Sequence, residues 1–261
     1  MTIPKIVLIG SGNMATRLGL ELKAKELAIQ QVYSPTIEHA SELAKQLNAS
    51  STNQLSAINS SADLYIIAVK DDAVAAVVKG MPEVSGLVVH TSGSVDSETL
   101  NRFQYYGSLY PLQTVSKNKA VEFSGVPICI EGNTKEVRDV LFGIAALISN
   151  NIHDIDSKQR RTLHLAAVFA CNFSNYMYTI AHDLLSQQDV DFKLLLPLIL
   201  ETAQKTTSSS PASHQTGPAV RNDTATMDAH KALLAQNADY QKIYNLLSNS
   251  ITVQQNDKEE L

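Results

Sequence analysis

Six residues near the start of the chain, Gly10-Ser11-Gly12-Asn13-Met14-Ala15, restrict its fold more than any other feature. They match the pattern G-x-G-x-x-G/A. They follow a short apolar run, Lys5 to Ile9, and open a helical pattern from Met14 to Lys25. A continuous apolar run of that length is what a strand buried on both faces requires. In this strand–turn–helix setting each position has a physical reason. Gly10 permits a tight turn, Gly12 lets backbone approach a pyrophosphate, and Ala15 allows close packing of helix on strand. The helix N-terminus adds amide donors and a partial positive charge. Ser11, Asn13 and Met14 complete the expected cradle for a dinucleotide. The plain alternative is a strand-to-helix turn with incidental glycines.

The rest of the first half continues the alternation. Strands are expected at Gln31–Tyr33, Asp63–Val69, Gly86–His90, Val126–Ile130 and Ile152–Ile155. Helices are expected at Ile37–Leu47, Asp72–Val78 and Thr134–Ile148. Such alternation implies a doubly wound parallel sheet with helices on both faces, an α/β domain of the Rossmann type. The pattern changes near Asp156. From Ser157 to Leu185 there is no glycine or proline, which reads as one long helix. Asp191 is placed to cap a helix through Thr202 with a kink at Pro197, and Thr206 to Gly217 reads as a polar loop. Further helices are expected at Asp223–Gln236 and Tyr240–Ser248, with a frayed tail from Gln254. The expected organisation is a nucleotide-binding domain over residues 1–156 and an all-helical domain over 157–261.

Composition narrows the function classes. The chain has 261 residues, 44% of them apolar, and a net charge of -5. That balance argues against a nucleic-acid partner recognised by bulk positive charge. No stretch reaches the ~18–20 apolar residues of a membrane span. The N-terminal apolar run ends at Ile9, unlike a signal peptide. The two cysteines, Cys129 and Cys171, lie in apolar runs and read as buried free thiols, consistent with the cytoplasm. No His/Cys/Asp group has metal-ligand spacing, so no metal is expected.

The end of the second strand selects the dinucleotide. NAD binders usually carry Asp or Glu there, on the ribose 2′-hydroxyl. This chain has Tyr33-Ser34-Pro35-Thr36, with no carboxylate to repel a 2′-phosphate, so NADP is favoured over NAD. The usual arginine is missing too, and Glu38 is either a solvated helix residue or a displaced ribose ligand. Ligands of open α/β sheets lie beyond the carboxyl ends of the strands. Ala68-Val69-Lys70 and His90-Thr91-Ser92 end two of them, and are expected at the cofactor. Asp72 reads equally well as a simple helix cap.

Substrate candidates come from the helical half. Arg161, His164, Asn172, Asn175, Thr179 and His182 fall within a band about 80° wide on an ideal helix. His164 and Asn172 are the candidates for substrate contact, with His164 able to act as acid or base. The alternative for His164 is a structural, hydrogen-bonded histidine. Arg221, before the capping Asp223, could hold an anionic group bidentately or sit in a structural ion pair. His230 lies two turns into the helix that follows.

Together, Gly10–Ala15, His90–Ser94, Tyr110-Pro-Leu-Gln-Thr114, Leu163–Asn172 and Thr216-Gly-Pro218 with Arg221 and Asp223 carry a resemblance over nearly the whole chain. The chain resembles the Rossmann-like oxidoreductases whose helical half is the domain of unknown function 2520. It is more distantly similar to pyrroline-5-carboxylate reductase, deazaflavin-dependent NADP oxidoreductases and the 6-phosphogluconate dehydrogenase superfamily. The resemblance implies NADP, hydride transfer, a helical domain that often builds a homodimer, and no assigned substrate. It departs from that family at Pro35, where a basic residue is common, and at Asn222, where glycine is usual; asparagine tolerates the left-handed conformation. Two functions follow. One is an NADP-dependent oxidoreductase for a small polar carbonyl, imine or hydroxy acid held between the domains by His164, Asn172 and Arg221. The other is a non-catalytic nucleotide sensor that dimerises through its helices.

Overall fold

The computed structural model describes residues 4–117 and 119–259. Residues 1–3 and 260–261, on which the leader and frayed-tail expectations partly bear, lie outside the described residues. The chain divides into two compact units, residues 1–170 and 171–261.

The first unit is built on one eight-stranded sheet in the order β3-β2-β1-β4-β5-β6-β7-β8. Its strands are β1 (Lys5–Ile9), β2 (Ala28–Tyr33), β3 (Ser50–Thr52), β4 (Leu64–Ile67), β5 (Leu87–His90), β6 (Tyr106–Pro111), β7 (Ile128–Gly132) and β8 (Ile152–Asp154). Alternation along each strand feeds two cores. Ile6 and Leu8 of β1 join Leu64 and Ile66 of β4 on one face; Val7 and Ile9 join Tyr65 and Ile67 on the other. The first core is covered by α1 (Asn13–Ala24), α2 (Ile37–Leu47) and α4 (Lys135–Ile148), through Leu18, Leu22, Leu43, Leu47, Leu141 and Ile144. The second is covered by α3 (Val74–Gly80) with Leu100 and Phe103. Period-two burial on both faces is the reason these strands read as unbroken apolar runs.

The sheet is mostly parallel rather than wholly so. β6 pairs with β7 antiparallel, and β8 then follows β7 in parallel. A parallel pair needs a crossover, usually a helix. Among the described residues of 112–127 there is one short 3-10 turn, Phe123–Gly125, and no crossover helix. β3 and β6 were not expected as strands. β3 has three residues, and β6 carries Pro111 at its end.

Asp156 starts α5 (Ser157–Ala167), as expected. Its carboxylate accepts from the Gln159 amide at 2.8 Å while the Gln159 side chain accepts from the Asp156 amide at 3.0 Å. This is a reciprocal capping box. The first unit nevertheless runs on to Ala170, beyond the boundary expected at Asp156. Arg160, whose side chain is wholly buried, lies in the stretch it gains. Its guanidinium donates to Ser108 Oγ at 2.8 Å, Val95 O at 2.7 Å, Ser157 Oγ at 3.0 Å and the Glu131 carboxylate. Those bonds tie the start of α5 to the sheet.

The helical elements continue through a π segment, Val168–Phe173, and α6 (Ser174–Ser186). A π segment turns less per residue than an α-helix, so the polar band expected from His164 to His182 loses its register there. Cys171 lies in that segment and is exposed, unlike Cys129, which is buried as expected. The second unit also holds α7 (Leu196–Lys205), α8 (Thr224–Leu233) and α9 (Ala238–Glu259). Pro197 occupies the first turn of α7 and introduces no kink, because a first-turn proline forfeits no helical hydrogen bond. Asp191 caps the preceding 3-10 turn, Phe192–Leu195, instead of α7. α9 carries the chain to Glu259, past the point where fraying was expected. Tyr240 Oη donates to Asp183 at 2.7 Å, and Thr252 Oγ1 to Ala219 O at 3.1 Å. Few side chains of this unit are buried, whereas Leu194, Leu198, Leu200, Leu233 and Leu246 are all exposed. Among the described residues no helix is long and apolar enough to cross a membrane.

Candidate functional site

The order β3-β2-β1-β4-β5-β6 reverses direction between β1 and β4, and the crevice beyond those strand ends is where such sheets bind ligands. A cleft of about 620 Å³ lies there. It is lined by Gly10, Ser11, Gly12, Asn13 and Met14, by Tyr33 and Ser34, and by Ala68, Val69 and Lys70, all expected at a cofactor. Ala15 is buried against the strands behind the turn, the packing role expected of it.

The two glycines of the turn differ in what requires them. Gly10 has φ +127°, and a Cβ there would stand 2.2 Å from the Ala68 carbonyl oxygen. Its own amide donates to Tyr33 O at 2.8 Å, so the fold itself demands glycine at this point. Gly12 has φ −75° and is open to any residue on backbone grounds. A Cβ on Gly12 meets nothing within 4 Å. It is also the N-cap of α1, where Ser, Thr, Asp or Asn would cap better, and α1 has neither a side-chain cap nor an acidic residue in its first turn. No described residue excludes a Cβ at Gly12. A pyrophosphate approaching the open amides of α1 would. The cradle therefore fits a dinucleotide.

The far side of the cleft begins at Ser34, which is buried and accepts a 2.9 Å bond from Ser11 Oγ. Pro35, Thr36 and His39 continue the lining, and Glu38 is not part of it. Among the described lining residues there is no carboxylate, while Lys70 and His39 contribute bases. His39 was missed in the sequence. Its signal is its place three residues after Thr36, the N-cap of α2, on the exposed face of the first turn.

The loop after β5 is held by its own polar groups. The Ser92 amide donates to His90 Nδ1 at 3.2 Å, and Ser92 Oγ accepts from the Ser94 and Val95 amides at 3.1 and 3.0 Å. Ser94 Oγ donates to the Asp71 carboxylate. Asp71 is therefore tied to this loop, and Asp72 lies within a 3-10 turn and does not cap α3, whose N-cap is Ala73. His90 is fully buried, and its Nε2 lacks a hydrogen-bond partner among the described residues. Burial first, and the neighbouring Arg160 charge second, push its pKa down to about 4. His90, Thr91 and Ser92 are buried and do not line the cleft.

His164, on α5, is half-buried, and its Nδ1 lies 3.0 Å from the hydroxyl of Tyr110 at the end of β6. In the sequence Tyr110 stands out only within Tyr110–Thr114, one of the segments that carry the resemblance. Asn172 and Arg221 belong to the second unit and are exposed. Arg221 precedes Asn222, whose φ of 51° is the left-handed conformation expected of it. Asp223 caps α8 by accepting from the Thr226 amide at 3.0 Å. That bond first, and Arg221 more weakly, hold its carboxyl below the usual range. His230 is paired with Tyr244 Oη at 2.9 Å. No group of His, Cys, Asp and Glu able to hold a metal ion occurs among the described residues.

Comparison with known proteins agrees with this geometry. Residues 5–91 match the family model of coenzyme F420-dependent NADP oxidoreductases, and residues 126–251 match the domain of unknown function 2520. A "putative NADP oxidoreductase" of Bacteroides fragilis has a solved structure with 43% identity and a TM-score of 0.88, over 95% of this chain and 98% of that one. An imine reductase of Myxococcus stipitatus in complex with NADP+ superposes at a TM-score of 0.68 with 11% identity, over 98% of this chain and 94% of that one. A 1-pyrroline-5-carboxylate reductase of Streptococcus pyogenes does so at 0.61 with 15% identity, over 96% and 98%. These two share the fold. A search of curated proteins gives no match. With its N-terminal NADP-oxidoreductase domain, its domain 2520 and its likeness to the Bacteroides fragilis protein, the chain belongs to the family of NADP oxidoreductases that carry a C-terminal domain of unknown function 2520.

Proposed function

We propose that this chain is an NADP-dependent oxidoreductase acting on a small polar carbonyl, imine or hydroxy acid. The observation that carries the reading is Gly12, where the fold leaves room for a Cβ and an approaching pyrophosphate would not. When bound, NADP supplies the hydride chemistry, and the protein supplies binding, orientation and charge. The open amides of α1 receive the pyrophosphate. Ser34, Thr36 and His39 offer hydroxyls and a base toward a 2′-phosphate where an NAD enzyme would place a carboxylate. Thr91 and Ser92 shape the loop toward the nicotinamide end. His164 holds or moves a proton at the substrate's oxygen or nitrogen. The exposed leucines of the second unit support a homodimer as the working form.

The test combines binding with turnover. NADPH is expected to bind about tenfold or more tighter than NADH, the worth of one charge-assisted contact. NADPH should be oxidised with at least one member of a panel of keto acids and cyclic imines. His164→Ala is expected to lower kcat by about 10²- to 10⁴-fold, with NADPH affinity preserved. Tighter NADH binding would overturn the cofactor preference. Tight binding without turnover across the panel would favour a nucleotide sensor.

A further inference from the structure

Tyr110 is 7% exposed, and its ring meets His164 edge-on, with centroids 6.0 Å apart and planes at 76°. Among the described residues, His164 Nδ1 is the recorded hydrogen-bond partner of its hydroxyl, at 3.0 Å. Burial, more than any neighbouring charge, pushes the Tyr110 hydroxyl up to about 12, so it keeps its proton through the neutral range. A buried hydroxyl with a proton must donate it or forfeit a hydrogen bond. Nδ1 is the acceptor in reach. A nitrogen that accepts carries no proton, so the neutral ring bears its hydrogen on Nε2.

Gly93 guards the same edge. A Cβ on Gly93 would stand 2.6 Å from His164 Nδ1, 2.7 Å from its Cγ and 2.8 Å from Tyr110 Cζ. Real Cβ contacts are not that short, so backbone alone fits against the bonded pair. The loop that presents Gly93 is braced by Ser92 Oγ on two amides and by Arg160 on Val95 O at 2.7 Å.

We propose that Tyr110 is a positioning residue: its hydroxyl fixes His164 as the Nε2–H tautomer, and Gly93 closes the Nδ1 side. The ring then offers a substrate one nitrogen, Nε2, as an N–H donor. A donor suits the carbonyl oxygen or imine nitrogen of an unreduced substrate, which narrows the substrate class given above. The catalytic meaning rests on the proposed oxidoreductase function, whereas the tautomer stands without it.

The test is the ring nitrogen spectrum of the full-length ¹⁵N-labelled protein, recorded well above the ordinary histidine pKa of about 6.5. The chain has seven histidines, and His164→Gln identifies the signals that belong to position 164. Wild-type His164 is expected to show a protonated Nε2 and an unprotonated, hydrogen-bonded Nδ1. Tyr110→Phe keeps the ring and removes the hydroxyl, and should move the tautomer ratio about fivefold toward Nδ1–H, the worth of one neutral hydrogen bond. A protonated Nδ1 in the wild type, or an unchanged pattern in Tyr110→Phe, would overturn the proposal. Should Tyr110→Phe not fold, Gly93→Ala reads the same edge, and unchanged His164 signals there would count against it equally. With a substrate from the panel, Tyr110→Phe should lower kcat and leave NADPH affinity unchanged. No wild-type turnover would fault the oxidoreductase reading alone, because the nitrogen spectrum needs no substrate.

Discussion

His90 ends β5 with no exposed surface, and its surroundings refuse it a charge. The ring accepts the Ser92 amide, and burial and Arg160 both favour the neutral form. This has a consequence for stability. In the unfolded chain the imidazole takes up a proton as pH falls through 6.5, while in the folded chain it resists until about 4. Stability is therefore full above pH 6.5 and lost between 6.5 and 4, at about 1.4 kcal/mol per pH unit or about 3 kcal/mol in all. His90→Asn keeps an acceptor for Ser92 and removes the titration. Urea unfolding across that window should show the wild type losing about 3 kcal/mol more than the variant. Parallel profiles for the two proteins would refute the account. Arg160 shows a different residue effect. A wholly buried guanidinium with four hydrogen-bond partners ties the start of α5 to the sheet, and nothing in the sequence around Ser157–Lys158–Gln159 distinguishes it from a solvated helix arginine.

Elements with strong local signals were legible in the sequence. β1, β4 and β5 are buried on both faces, so their apolar runs are unbroken, and the turn Gly10–Ala15 sits between strand and helix as read. The capping carboxylate of Asp223 was legible for the same reason, since a cap acts within three residues. What escaped depends on distant partners. β3 is three residues long and exists because β2 pairs with it. The reversal at β6–β7 follows a connection whose described residues form no crossover helix, and the π segment at Val168–Phe173 carries no composition that separates it from α-helix. The candidate site divides along the same line. Residues beside the glycine turn were readable, and ten of the expected positions line one cleft. Tyr110 and His39 were not, because they reach their places from β6 and α2.

At the scale of the molecule, the two units differ in how they bury apolar surface. The first has two closed cores. The second leaves Leu194, Leu198, Leu200, Leu233 and Leu246 exposed, Leu233 by 80%. A chain that exposes so many leucines gains by covering them, and a second copy is the occupant the proposal names. Light scattering after gel filtration is expected to give twice the 28.4 kDa chain mass at micromolar concentration. A monomer that stays monodisperse would refute it. The net charge of -5 sets the other molecular constraint: the overall field does not attract an anionic dinucleotide, so local devices must. The cleft without carboxylates and the open amides after Gly12 are those devices. The most direct measurement is therefore calorimetric titration of NADPH into wild-type protein and Gly12→Ala, with thermal unfolding of each. The added Cβ meets nothing in the protein, so stability should change by less than about 1 kcal/mol. NADPH affinity should fall by about tenfold or more, because the methyl group takes the place of the approaching pyrophosphate. Equal NADPH affinity in the two proteins, or none in the wild type, would contradict the central claim.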